Sequence, residues 1–518
     1  MPLSDERYVL VFDCGSTNIR AVAVDPSGVI RAFSSVPNNP RQQPGGERGW
    51  LIWDMDEIWR KVCEASRKVS ENVNPRNIEA VSIITWGADG APVRRDGGLT
   101  YPPISWQCSR TKKIAEKITE KISAWEIYRI TGYQIIPFNT LFKIIWLKEN
   151  VPRALGEAHT WLMMPGLIAH RLTGEFHIDP TIASTMMAMD LGRRDWSEAM
   201  LEIAGLDAGF FPEWREPGEI LGYVTGEAAR ESGLISGIPV IVGGHDTQFA
   251  IFGSGAKVNE PVLSSGTWEI LGVRVDAYNP TEKGFEEGLI IEADVERGLW
   301  NPQFLMIASA VIEWILQNFF RDIGGRKYES IIKEIENIPP GSDGVIFIPT
   351  FVAESGPLRK YGSLGAILGL TLLSSRSQLI HAAFEGLTFQ MREALRLLFE
   401  STNTRANHVR VVGGGSRNEL WNKMRADAIG LPVIVPAQKE AATIGAALLS
   451  FVGVGYYRSI DEARRNFFAE EKVFSPNKYS NMVYNRVFED YSEALECLRD
   501  FYKTSARRGS SPEAEKTS

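Results

Sequence analysis

Two short segments, half a chain apart, share one layout. VLVFDCGSTNIRAVAVD near the start and PVLSSGTWEILGVRVD in the second half each read as a strand, a tight turn of small hydroxyl residues, and a second strand. Their turn glycines, Gly15 and Gly266, stand about half of the 518 residues apart. A repeat on this scale suggests a duplicated architecture, although strand–turn–strand with Gly and Ser or Thr is common enough to recur by coincidence. Length also asks for two domains, because 518 residues exceed what one core ordinarily encloses.

The first hairpin leads into a third strand at GVIRAFSS and a Pro/Gly-rich loop. The helical spacing of WDMDEIWRKVCEASRKV follows, with Asp54 as its N-cap, and then the apolar strand AVSIITWGADG. The order β-β-β-α-β predicts a mixed α/β domain. The second half predicts a helix over 308–320, a strand at GVIFIP, a long helix over 377–398 and a strand-to-glycine turn at HVRVVGGGSRN. Helices at ELWNKMRADAIG and at the small-residue stretch AATIGAALLSFVGVG come next. The divisions expected are a first domain over 1–255 and a second over 256–475. A C-terminal segment over 476–518 holds a helix from about 482 to 502 and a disordered polar tail.

Charge and composition narrow the chemistry. A net charge of −8 lacks the basic surface that a nucleic-acid backbone demands, so no nucleic acid is expected as partner. A nucleotide remains open, since a local nest of backbone N–H groups can hold one. No apolar run reaches membrane-span length, so no membrane contact is expected. The start shows no signal-peptide pattern, and the four cysteines show no paired spacing, which suits a reduced cytoplasmic setting. The six histidines form no zinc-binding pattern.

The candidate chemistry sits in turns. Gly15, Ser16 and Thr17 follow a strand and can offer backbone and hydroxyl donors to a phosphate, while Asp13 can hold Mg2+; an ordinary hairpin tip is the plainer reading of the same residues. Gly266 and Thr267 offer the same donors in the second hairpin. Gly413, Gly414 and Asn418 could form a platform for a purine ring, or simply a tight strand-to-helix connection. No Walker P-loop is present. Trp86, Asp89 and Gly90 combine an indole with a carboxylate in a glycine turn, a mix suited to a sugar, though a plain turn with an exposed Asp reads the same; Trp106, Asn139 and Gln248 are further pocket candidates. In GGHDTQFAIFGSGA, Asp246 reads as a general base that accepts the proton of an attacking hydroxyl, or as a helix N-cap. The flanking glycines read as clearance for hydroxyl and phosphate, and His245 has no assigned role.

At these residues the chain resembles the FGGY carbohydrate kinases. The resemblance is densest at FDCGSTNIRAVAVD, TWGADGAPV, YPPISWQCSRT, FNTLFKIIWLKEN, HRLTGEF, GHDTQFAIFGSGA, NEPVLSSGTWEIL and VVGGGSRNELWN. It implies an actin-like ATPase (ribonuclease H-like) α/β fold, with two duplicated domains around a nucleotide cleft. It also implies ATP as phosphate donor, Mg2+ facing Asp13, and a small-molecule ketose as acceptor. Gly15, Ser16 and Thr17 match the first phosphate motif, and Gly266 and Thr267 the second. Gly413, Gly414 and Asn418 match the adenosine motif, with Ala441 to Gly445 nearby. Asp246 matches the catalytic base, and Asp89 with Gly90 the sugar turn. Within the family the pattern lies nearest the branch that acts on L-fuculose. Trp86 and Ala88, where Phe and Val are expected, together with IPTFVAESGPLRKYGSLGAILGL, leave L-rhamnulose, xylulose and ribulose as alternatives. A homodimer is left open, and so is an actin-like ATPase that serves as a nucleotide-driven switch.

Overall fold

A computed structural model of the chain describes residues 6–322, 327–352, 365–438, 440–468 and 470–509. Strand β1 (Tyr8–Cys14) pairs antiparallel with β2 (Asn18–Val24), and β2 with β3 (Ile30–Pro37). Helix α1 (Met55–Ser70) starts at Asp54, whose carboxylate accepts from the Asp56 and Glu57 N–H groups as an N-cap should. The chain then returns as β4 (Ile78–Thr85), parallel to β1 on the side away from β2. After a largely helical stretch, β5 (Ile220–Tyr223) and β6 (Pro239–His245) complete a six-stranded sheet of order β3-β2-β1-β4-β6-β5. The short helix α2 (Asp246–Phe252) follows β6 directly.

The second sheet repeats this plan with β7 (Pro261–Ser265), β8 (Trp268–Val273), β9 (Ile290–Ala293) and β10 (Trp300–Ile307). Helix α3 (Arg376–Thr402) leads to β11 (Val409–Val412), α4 (Glu419–Ile429) and β12 (Val433–Pro436). Helix α5 (Ala441–Gly453), β13 (Glu471–Phe474) and helix α6 (Lys478–Gly509) end the described chain. The order is β9-β10-β8-β7-β11-β12-β13. Both sheets therefore share one five-strand kernel, β3-β2-β1-β4-β6 and β10-β8-β7-β11-β12. In each, three strands meander antiparallel and two more follow in succession on the other side of the first, parallel to it. The duplication read from the hairpins is a property of the whole topology, that of the actin-like ATPase fold.

Every residue of β1 is buried, because both of its faces are covered. Leu10 and Phe12 pack with Ile58 and Val62 of α1, while Val9 and Val11 pack with Phe249 of α2 and Ile444 and Leu448 of α5. Helix α5 belongs to the second half in sequence, yet it seals the first sheet. Its small residues allow this. A Cβ on Gly253 would lie 1.9 Å from the Ala441 carbonyl oxygen, and one on Gly445 would lie 2.5 Å from that of Phe249.

Other expectations need adjustment. The helix expected over 308–320 spans Ser309–Phe319, and α3 runs a turn past the limit read from its apolar spacing. Helix α6 continues through residues 503–509, so the start of the polar tail is helical, and 510–518 lie outside the described residues. So do residues 353–364 of IPTFVAESGPLRKYGSLGAILGL.

Candidate active site

Register brings the candidate turns to one edge. Asp13 of β1 stands opposite Ile84 of β4, and Gly244 of β6 opposite the same Ile84. Cys14, Thr85 and His245 form the next row. Because the three strands are parallel, the turns after them all emerge at the carboxyl edge, where α/β sheets bind ligands. These turns are Gly15–Thr17, Trp86–Gly90 and the start of α2. In the second sheet β7 and β11 are parallel in the same way, with Ser264 opposite Val412, so Gly266 and Gly413 also emerge together.

The first tip is built around a buried acid. Asp13 Oδ2 accepts from Arg20 Nη2 at 2.6 Å and from Thr443 Oγ1 of α5 at 2.9 Å. Burial pushes the Asp13 carboxyl up, while Arg20 and Thr443 oppose that shift. Arg20 also donates to Glu440 at 2.6 Å, and Glu440 accepts from Arg417 at 3.1 Å. A chain of charges thus runs from the first tip to the third glycine turn. The sequence reading missed Arg20, although it lies directly across the hairpin from Asp13, a pairing the turn dictates. Thr443 and Glu440 had no such local signal.

The third turn presses on the second. A Cβ on Gly413 would lie 2.6 Å from the Ser265 carbonyl oxygen, and one on Gly415 would lie 2.1 Å from Ser265 Oγ. Gly414 alone meets nothing within 4 Å and is exposed. Asn418 caps α4, its Oδ1 accepting from the Trp421 N–H at 3.0 Å. Thr17 and Thr267 are exposed at the two tips, and Ser16 is half-buried. The second tip is tied down from behind, since the Gly266 carbonyl accepts from Ser309 Oγ at 2.7 Å.

In the Trp86–Gly90 turn, Asp89 is fully buried. Its Oδ2 accepts from Trp53 Nε1 at 2.6 Å, Trp86 Nε1 at 2.8 Å and the Trp106 N–H at 3.1 Å. Its Oδ1 is paired with buried Lys143 Nζ. Ala88 has a positive φ of 68°, costly for a residue with a Cβ. The turn is held by three bonds to its backbone: the Ala88 N–H donates to Thr185 Oγ1 at 2.8 Å, and the Ala88 carbonyl accepts from Thr140 Oγ1 and Lys143 Nζ at 2.9 and 2.7 Å. Gly90 owes its missing side chain to packing, because a Cβ there would lie 2.5 Å from Trp161 Nε1.

Asp246 is the first residue of α2, one past the N-cap position, which His245 occupies. The N-cap reading therefore fails. Its Oδ1 accepts from the Thr247 N–H at 2.7 Å and lies 3.4 Å from His245 Nε2. The side chain is 30% exposed. Loss of water raises the carboxyl to about 6, with Asp13 acting in the same sense and His245 and Thr247 against it. A group in that range is charged at neutral pH and still basic enough to take a proton.

Two further expectations are corrected. Gln248 is fully buried behind the turn. Its Nε2 donates to Glu292, and its Oε1 accepts from Asn301 Nδ2 at 2.5 Å. The space that the glycines beside Asp246 leave is filled by close packing. A Cβ on Gly243 would lie 1.8 Å from the Ile83 carbonyl oxygen, one on Gly244 2.1 Å from Thr181 Oγ1, and Gly253 meets α5 as described. Asn139 is likewise buried, donating to the Thr185 carbonyl at 2.9 Å.

Residues 8–253 match the N-terminal domain of the FGGY family of carbohydrate kinases, and residues 262–454 match its C-terminal domain. The chain belongs to the FGGY family of carbohydrate kinases. This FGGY kinase is 39% identical to L-fuculokinase of Escherichia coli (strain K12) over 471 residues, 91% of this chain and 98% of that one. It is 26% identical to autoinducer-2 kinase of the same strain, with 93% of each chain covered. Its fold matches the crystal structure of xylulose kinase from Rhodospirillum rubrum with a TM-score of 0.85 at 20% identity, covering 96% of this chain and 100% of that one. As an FGGY kinase it is an ATP-dependent sugar kinase, a phosphotransferase. No helix among its described residues is long and apolar enough to cross a membrane.

Proposed function

We propose that this kinase transfers the γ-phosphoryl group of ATP to the terminal 1-hydroxyl of L-fuculose, giving L-fuculose 1-phosphate, with Asp246 as general base. The observation that carries the reading is Asp246 itself. It is a partly exposed carboxylate with few donors, held at the edge where the sugar turn and the first phosphate tip emerge. Phosphoryl transfer asks little covalent help of the protein beyond a group that accepts and orients the attacking hydroxyl. Gly15–Thr17 and Gly266–Thr267 cradle the phosphates from the two halves, and the exposed Gly414 face receives the adenosine. Asp89 serves the sugar side by holding the indoles of Trp53 and Trp86 and the Ala88 backbone in place.

Mg2+ fits the first tip. Among the described residues no three His, Cys, Asp or Glu side chains cluster as an all-protein cage. With Asp13 Oδ2 taken by Arg20 and Thr443, Oδ1 is left as a single hard oxygen donor, as suits an ion that takes one carboxylate with phosphate oxygens and water. Bound there, the ion would neutralise charge on the phosphates.

Identity of 35–39% to L-fuculokinases over about nine-tenths of the chain favours L-fuculose over the substrates of the more distant relatives. A coupled ADP-release assay over L-fuculose, L-rhamnulose, D- and L-xylulose and D- and L-ribulose tests it. L-Fuculose is expected to give the highest kcat/KM, and a higher value for another ketose would overturn the assignment.

A further inference from the structure

His245, left without a role by the sequence, lies between two carboxylates from different parts of the fold. Its Nδ1 stands 3.0 Å from Glu292 Oε2, and its Nε2 stands 3.4 Å from Asp246 Oδ1. Glu292 comes from β9, an edge strand of the second sheet, and is buried. Its other oxygen accepts from Tyr133 at 2.7 Å, and Gln248 donates to the oxygen that faces His245. The strand is locked onto the first half, because the Ile291 N–H donates to the Gly132 carbonyl at 2.8 Å. A Cβ on Gly132 would lie 2.4 Å from the Ile291 carbonyl oxygen, so that contact is close and leaves little play. The backbone N–H of His245 donates to Thr181 Oγ1 at 2.9 Å, and Thr181 donates to Asp179 at 2.5 Å. The ring edge also borders the sugar turn, where a Cβ on Gly87 would lie 3.1 Å from Nε2.

An imidazole with carboxylates at both nitrogens satisfies both only as a cation, since each nitrogen must then donate. We propose that Glu292 holds His245 as an imidazolium whose Nε2–H faces Asp246, making His245 a positioning residue that keeps the base ionised and aimed. Burial works against the charged ring, yet Glu292, Asp246 and Asp179 together carry it up to about 8. The groups that face it are Glu292 from β9, Asp246 from α2 and Asp179 from the loop before Pro180, all acids. On Asp246 the imidazolium, with the Arg20 guanidinium acting in the same sense, opposes desolvation and the Asp13 charge. The inference rests on Asp246 as the base. In that step the hydroxyl proton passes to an Asp246 oxygen as the hydroxyl oxygen bonds to the γ-phosphorus. The bond from that phosphorus to the β,γ-bridging oxygen breaks, and its electron pair leaves on ADP.

The test is the pH profile of kcat/KM from pH 5 to 9, with the best ketose of the panel, for the wild type, Glu292→Gln, Glu292→Asp, His245→Gln and Asp246→Asn. Rate falls as pH drops through the pKa of the base, and loss of a neighbouring cation raises that pKa. The acidic limb of Glu292→Gln should therefore move up by about one pH unit. That is about a fivefold loss at pH 6, approaching about tenfold near pH 5, with recovery to within about twofold near pH 8.5. Glu292→Asp should restore much of the wild-type limb. If Glu292→Gln does not fold, as thermal unfolding would show, His245→Gln carries the test with the same expected shift. A loss that is uniform in pH, or an unmoved limb, overturns the proposal while Asp246→Asn inactivity leaves the base reading standing. Substantial turnover by Asp246→Asn removes the base reading, and this proposal with it.

Discussion

Asp89 and Asp246 follow neighbouring parallel strands, β4 and β6, and emerge at the same sheet edge. Asp89 is surrounded by four donors, among them a buried lysine, and has no exposed surface. Asp246 has the Thr247 N–H and the approach of one imidazole, and 30% of its side chain is exposed. Donors that satisfy a buried carboxylate also fix it in place. The first acid is committed to holding the indoles and the strained Ala88 turn; the second is left basic.

The contrast breaks most sharply at Asp246→Asn. Turnover in the ADP-release assay should fall about 10²–10⁴-fold, the usual worth of a general base, with nucleotide binding retained. Stability should move the other way. The Asp246 carboxyl sits at about 6 in the fold against an ordinary 3.8, so the fold prefers its protonated form. That preference stabilises fully below pH 3.8 and is lost as pH rises through 6. Asp246→Asn should therefore melt higher than the wild type at pH 7, and the gap should close below about pH 4. Asp89→Asn should do the reverse. It strands Lys143, whose pKa burial already pushes down, without its carboxylate. Breaking a buried ion pair at one partner costs about 3–5 kcal/mol, measurable by urea unfolding. An Asp89→Asn protein as stable as the wild type would mean that the four donors do not hold the turn.

Much of this was legible in the chain. The two hairpins and their glycine tips carry local signals, and the β1–β2 hairpin held the Asp13–Arg20 pairing too, although that pair was missed. What sequence could not supply were contacts between segments far apart. Nothing near AATIGAALLSFVG says that this helix from the second half seals the first sheet, or that Thr443 reaches Asp13. Glu292 is an unremarked acid on an edge strand until the fold sets it against His245. Gln248 misled for the same reason. A polar residue two positions after Asp246 reads as a pocket contact, but about half a turn of helix carries its side chain inward to Glu292 and Asn301. The glycines of GGHDTQFAIFGSG misled because backbone packing and substrate clearance leave the same residue in the sequence.

Gly253→Ala tests that last distinction. The added methyl meets the Ala441 carbonyl and the Gly445 backbone, so α2 and α5 must separate, at about 1–3 kcal/mol or more of stability. A glycine kept for substrate clearance would instead leave unfolding unchanged and raise KM for the sugar.

The smallest effect belongs to Glu440→Gln. Glu440 joins Arg20 to Arg417 and so bridges the two halves beside the first and third turns, but both Glu440 and Arg20 are 31% exposed. Charges in that position are screened by solvent, and such pairs are worth about 0–1 kcal/mol. Arg20 keeps its bond to Asp13, and glutamine can still accept a hydrogen bond, so no buried charge is stranded. The urea midpoint should fall slightly at low salt, and the difference should vanish near 1 M salt, where screening reaches about 3 Å. A loss as large as that of Asp89→Asn, or one indifferent to salt, would mean that this bridge is a buried pair of the Asp89–Lys143 kind.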